Sequence, residues 1–298
     1  MQAGTISELS FFSQLHPLTV LVYFIELFTL LLVFNHLILT IGLFGSVLGL
    51  CLFYFNRTKV RRLLVGSLSM MGLIVVFNLL LNQRGTHVLW QMRWGSLHFQ
   101  LTESATIYGL TMAASLGAMI LTFILLNGVL VTPKLTFLLF PVVPRLAMLL
   151  TIALRLVDLL LQKLQRLARF QKTRNLVVSE GTLRQRVKNL GRLFRVILVT
   201  AVSDAMETAV LMEARGFGAH KRSQYQQFQF QVTDGVFLGL SVIWFGVIIG
   251  LRWLGWGWTG DLTQLVWGTG QDIALLIISS GLVLLPIIGE GGYRLWAN

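Results

Sequence analysis

Six runs of apolar residues dominate this chain, near 18–36, 37–55, 63–81, 106–129, 232–253 and 272–289. A helix crosses about 30 Å of hydrocarbon with roughly 20 apolar residues, so each run is long enough to span a bilayer. In lipid every backbone N–H and C=O must be satisfied within the protein, which favours helices over open sheets. The expected fold is therefore an all-α integral membrane protein with about six transmembrane helices. Composition agrees. Of the 298 residues 55% are hydrophobic and 12% charged, against about 25% charged in a soluble domain. Only Asn35-His36 separates the first two runs, so they form a tight hairpin or one of them is re-entrant.

Charge orients the runs. Sixteen of the 24 Lys and Arg, but only five of the twelve Asp and Glu, lie from Lys134 to Arg222. Arg57, Lys59, Arg61 and Arg62 follow the second run, and Arg294 follows the sixth. If the six spans alternate, 21 basic residues face one side, and Arg84, Arg93 and Arg252 face the other. The positive-inside rule assigns the richer side to the cytoplasm, with both termini. Trp90, Trp94, Trp253, Trp256, Trp258 and Trp267 gather in or beside the two outer loops, as an interfacial aromatic belt does. The chain divides into membrane helices over 1–130, a cytoplasmic region over 131–230 and membrane helices over 231–298. A basic block between apolar spans suits a lipid surface, and the reading excludes nucleic acid as a partner. The N-terminal stretch to His16 has no Lys or Arg, so the first run reads as a retained span and not a signal peptide. Cys51, the one cysteine, sits in an apolar run and reads as a small buried hydrophobe.

The cytoplasmic region holds two long amphipathic helices. In the first, Leu149, Leu150, Ala153, Leu154, Val157, Leu160, Leu161 and Leu164 recur at helical spacing. Arg155, Asp158, Gln162, Gln165, Arg166 and Arg169 take the opposite face. Pro141 and Pro144 suit a helix start. In the second helix Leu183, Val187, Leu190, Phe194, Ile197, Ala201, Ala205 and Met212 share one face. Its first half is basic, and its second carries Asp204, Glu207 and Glu213. Each helix closes on a three-residue turn centred on arginine, Thr173-Arg174-Asn175 and Ala214-Arg215-Gly216. Asn and Gly readily take the left-handed conformation that ends a helix. An arginine there sits at the negative end of the helix dipole, which favours a cation by about 0.3–1 kcal/mol. Five donors project from each tip. Arg-Gly is also an ordinary helix stop, but two such tips on consecutive basic helices read as a docking device.

At these residues the chain resembles the transmembrane T component of energy-coupling factor (ECF) transporters, ATP-driven prokaryotic importers of vitamins and metal ions. The matching stretches are Pro144 to Arg155, Gln171 to Asn175, and Met206-Glu-Thr-Ala-Val-Leu-Met-Glu-Ala-Arg-Gly-Phe217. The family ends each of two coupling helices in X-Arg-X, most often Ala-Arg-Gly, and docks each on an ATPase subunit. Arg215 keeps both flanks, whereas Arg174 is flanked by Thr and Asn. His16-Pro17 resembles a family Asp-Pro with histidine in place of the acid. The resemblance implies a scaffold in the cell membrane of a prokaryote, partnered by two ABC ATPases and a small membrane S component that binds substrate. ATP and magnesium then belong to the ATPases, and the scaffold itself carries no cofactor and is not an enzyme.

The residues agree on one point. No Gly-x-x-x-x-Gly-Lys-[Ser/Thr] occurs, and Gly216-Phe-Gly-Ala-His-Lys221 lacks the required spacing. The five histidines have no metal-ligand spacing. Glu26 is the carboxylate nearest mid-span. A charge there costs about 2.5–3.5 kcal/mol on insertion scales, so it is neutral, paired or turned inward, as a structural hydrogen bond or a relay. Three other readings compete: a conventional ATP-driven permease, a lipid-directed membrane enzyme using Glu26, Asp234 or Asp272, and a proton-coupled carrier using Glu26. Two Arg-tipped helices favour the first-named scaffold.

Overall fold

Helix accounts for most of the chain in the computed structural model, which describes residues 11–82, 88–94, 97–173, 183–216, 228–257 and 270–297. The helices are α1 (Phe11–Gln14), α2 (Pro17–Val33), α3 (Leu37–Tyr54), α4 (Arg57–Leu81), α5 (Glu103–Val129), α6 (Thr132–Leu139), α7 (Pro144–Thr173), α8 (Leu183–Ala214), α9 (Val232–Trp253) and α10 (Gly270–Ala297). Five of them, α3, α4, α5, α9 and α10, contain stretches long and apolar enough to cross a membrane. At 17 residues, α2 is about 25 Å long, the short end of the spanning range. The protein is a multi-pass membrane protein. Contacts divide it into two units, Met1–Thr132 with Phe228–Asn298, and Pro133–Gln227.

In the first unit α2 runs beside α9 from end to end. At one end the Asp234 carboxylate of α9 accepts from the His16 amide at 2.7 Å. At the other, a Cβ built on Gly257, just past α9, would lie 3.4 Å from the Phe34 ring. Arg252 sits 5.7 Å from the centroid of that same ring. So α2 lies along α9, and since the first turn of α3 puts Leu39 near Gly257 and its end puts the Tyr54 ring 5.0 Å from that of Phe12, the break at 34–36 is a hairpin and not a re-entrant turn. Elsewhere the Phe11 amide donates to Glu290 of α10 at 2.7 Å, and the Tyr54 hydroxyl donates to the Pro286 carbonyl at 3.4 Å. The starts of α2 and α9 and the later turns of α10 therefore share one end of the bundle, as six alternating crossings require.

The core lies between α2, α3, α5, α9 and α10. Tyr23, Phe24, Leu27, Leu43, Leu50, Leu121, Leu125 and Leu282 are almost wholly buried there. Pro286 inside α10 removes one i−4 hydrogen bond. Nearby, the Tyr23 hydroxyl donates to the Val283 carbonyl at 2.8 Å. By contrast α4 keeps much of its apolar surface outward, with Leu68, Leu73, Val76 and Phe77 all more than half exposed. Lipid covers such a face without cost.

Close helix contact depends on Gly281. A Cβ there would lie 2.7 Å from Trp244 Cζ2, while Trp244 Nε1 donates to the Ile278 carbonyl at 2.9 Å. Gly281→Val is expected to push the indole off that carbonyl and destabilise the bundle by about 1–3 kcal/mol. Thermal unfolding in detergent measures it, and an unchanged midpoint would mean α9 and α10 separate freely.

The all-α expectation holds for the membrane spans, and the stretch between α4 and α5 adds one element to it. Val88–Trp94 (β1) and Leu97–Thr102 (β2) form an antiparallel hairpin. Its register opposes Trp94 to Leu97, Met92 to Phe99 and Trp90 to Leu101, with Arg93–His98 and Gln91–Gln100 between them. The sequence carries the signal: apolar and polar residues alternate on both sides of Gly95-Ser96, the two-residue pattern of a tight hairpin. Of the belt, Trp253 is exposed and Trp256 half-buried, while Trp258 and Trp267 lie outside the described residues.

Candidate functional site

The end of α8 is built by its last amides. Arg215 N–H reaches the Leu211 and Met212 carbonyls, both at 3.2 Å, and Gly216 N–H reaches the Glu213 carbonyl at 2.9 Å. Gly216 then turns the chain at φ 73°, a conformation that costs a residue with a Cβ about 1–2 kcal/mol. Ala214, Arg215 and Gly216 are all exposed. The guanidinium thus stands in solvent beside the negative pole of a 32-residue helix.

Pro144 opens α7 at its first residue, where its missing N–H is no loss. The helix runs 30 residues to Thr173. Arg174 and Asn175, the rest of its expected tip, lie outside the described residues. Helices α7 and α8 pass each other in opposite senses. Lys163 of α7 forms an ion pair with Asp204 of α8. Farther along, Ile152, Leu156 and Leu159 meet Thr208, Leu211 and Met212 across a groove of about 330 Å³. The ion pair is half-exposed and contributes about 0–1 kcal/mol, so apolar contact does more than charge to hold the two helices together. Arg155 and Arg215 line the same groove.

The packed face of α7 differs from the one its periodicity suggests. Leu149, Val157 and Leu161 are half or more exposed, as are Val187 and Phe194 of α8. Arg155, expected on the polar face, lines the groove instead. The reason is that α7 carries leucine nearly all round, so its period alone cannot say which stripe meets a neighbour.

Glu26 and the arginine tips belong to separate units. Glu26 is 5% exposed, and among the described residues neither of its carboxyl oxygens has a hydrogen-bond partner, so the structural hydrogen bond expected of it is not formed there. Ser241 of α9 lies beside it but donates its own hydroxyl to the Leu238 carbonyl at 3.1 Å. Among the described residues no three of His, Cys, Asp and Glu gather as a metal-binding group. Sequence reasoning misses Asp234 as an anchor. It is 2% exposed and accepts from both the His16 and Gln231 amides, at 2.7 and 2.9 Å. Gln231-Val-Thr-Asp234 has the spacing of a capping box, and that signal is the one that could find it.

Comparison with known proteins decides the class. Residues 10–226 match the family described as CbiQ, cobalt transport protein. The chain belongs to that family. It is an ECF-type transmembrane T component. The CbiQ match runs through α8 and stops before α9. Relatives of the family include the "energy-coupling factor transporter transmembrane protein EcfT" of Staphylococcus aureus, 29% identical over 248 residues, which cover 78% of this chain and 90% of the relative. The protein of the same description from Brevibacillus brevis is 27% identical over 248 residues, covering 78% and 91%. That of Limosilactobacillus fermentum is 25% identical over 224 residues, covering 69% and 79%.

Proposed function

We propose that this membrane component is a non-catalytic scaffold. In this reading it transmits the ATP-driven motion of two ATPase subunits, through α7 and α8, to a small membrane S component that binds a vitamin or other micronutrient. The observation that carries it is the exposed Arg215 held at the left-handed end of α8. A second supports it. Arg155 shares a groove with Arg215, and Thr173 ends α7 eighteen residues farther on, which is about 27 Å of helix. Two tips so far apart suit two partner subunits better than one. The apolar side chains left exposed on both helices also call for a cover, from lipid or from the S component.

Affinity purification of the chain in mild detergent tests the reading. Two ATPases and a small hydrophobic protein are expected to travel with it. Recovery of the chain with no ATPase would reject the scaffold. A conventional permease would bring ATPases but no S component.

Glu26 separates this reading from the carrier. Among the described residues no titratable group is hydrogen-bonded to Glu26 to pass a proton on. Glu26→Gln is therefore expected to leave uptake within about twofold, because the amide is isosteric and uncharged. A loss of tenfold or more in uptake, with normal amounts in the membrane, would restore the carrier.

A further inference from the structure

We infer that the groove between α7 and α8 is a two-arginine receptor for a carboxylate-bearing segment of an ATPase subunit, with Arg155 as the second cation beside Arg215. This rests on the reading of the α8 end as a docking site and adds to it a residue from the other helix. Neither guanidinium has an ion-pair or hydrogen-bond partner among the described residues. Farther along the same contact the third cation, Lys163, is neutralised by Asp204. Among the described residues the groove thus keeps two positive charges without an ion-pair partner over a floor of Leu156, Leu159, Leu211 and Met212. Its volume of about 330 Å³ falls at the low end for a small-molecule pocket and suits a short stretch of chain. A carboxylate can be held by either guanidinium in two parallel hydrogen bonds, and two such forks fix its position.

The surroundings favour a protein over an anionic lipid surface. Glu207 and Glu213 are exposed on the same half of α8, and they repel a sheet of phosphates. One acidic side chain reaching between the arginines avoids them. An apolar residue next to it would meet the leucine floor.

The test uses the full chain expressed with both ATPase subunits in membranes. A photo-crosslinking residue replaces Thr208, which lines the groove and carries no charge. The expected adduct joins Thr208 to an ATPase peptide containing Asp or Glu. Arg155→Glu is expected to cut that adduct about tenfold and Arg155→Lys about threefold or less, since charge reversal costs more than loss of the fork. Arg166→Glu, exposed on α7 outside the groove, should leave it unchanged. Membrane yield and the elution profile in detergent establish that each variant folds. Where Arg155→Glu fails them, Arg155→Gln takes its place with an expected loss of about threefold.

An adduct with lipid, or with a second copy of the chain, overturns the inference. So does a full adduct in Arg155→Glu together with its loss in Arg215→Glu, which leaves the α8 tip as a docking site with one cation. If Arg215→Glu also keeps the ATPases, the docking reading itself falls.

Discussion

Reversing both tip arginines, Arg174→Glu with Arg215→Glu, is expected to abolish ATP-driven uptake while the protein stays in the membrane. Arg215→Glu alone should remove most of it. The reason is where the charge sits. Gly216 turns the chain at φ 73° and leaves Arg215 exposed at the pole of α8. A partner surface that grips a cation there presents carboxylates or carbonyl oxygens. A glutamate in its place meets like charge, and it loses the favourable interaction with the helix dipole, about 0.3–1 kcal/mol, as well. In a desolvated interface the total reaches several kcal/mol, or more than a hundredfold in affinity. Arg215 is exposed and no part of the buried core, so insertion of that variant should be normal. Uptake into cells, with the amount in the membrane measured alongside, decides it. Wild-type uptake by the double variant would reject docking through these tips.

Loss of the Asp234 carboxylate is expected to be the most costly single change in the bundle itself. Asp234 is buried and binds two backbone amides, His16 at the start of α2 and Gln231 at the start of α9. Asp234→Ala strands both donors and removes a helix cap. Hydrogen bonds to a charged group contribute about 1.5–3 kcal/mol each and a cap about 1 kcal/mol. Since the Gln231 bond is the cap, the two together come to about 2.5–4 kcal/mol, or about 5–16 °C in unfolding midpoint for a chain of this size. Asp234→Asn keeps one acceptor oxygen and should fall by less than half as much. Thermal unfolding in detergent gives both numbers. Equal midpoints for wild type and Asp234→Ala would mean that α2 and α9 are held by apolar packing alone.

These two expectations differ in how far the chain itself announces them. The Ala-Arg-Gly end of α8 is a local signal: three adjacent residues specify both the stop and the cation. The six apolar helices are local in the same sense, since length and hydropathy are read within one window. The hairpin at 88–102 is equally local, but its alternation is short and lies between two long apolar spans whose helical signal dominates. Asp234 shows the other case. Its partner His16 is 218 residues away, and nothing near either residue names the other.

What the sequence determined by itself was the helical multi-pass class, the Ala-Arg-Gly end of α8 and the family, because each depends on periodicity, hydropathy or a contiguous motif. Tertiary structure alone decided which stripe of α7 meets α8, that Arg155 joins Arg215 in one groove, that α2 lies along α9, and that Glu26 is buried with no hydrogen-bond partner among the described residues. In α7 leucine falls on nearly every face, so the period is satisfied by several packings. The choice among them is made only when a second helix arrives with its own side chains.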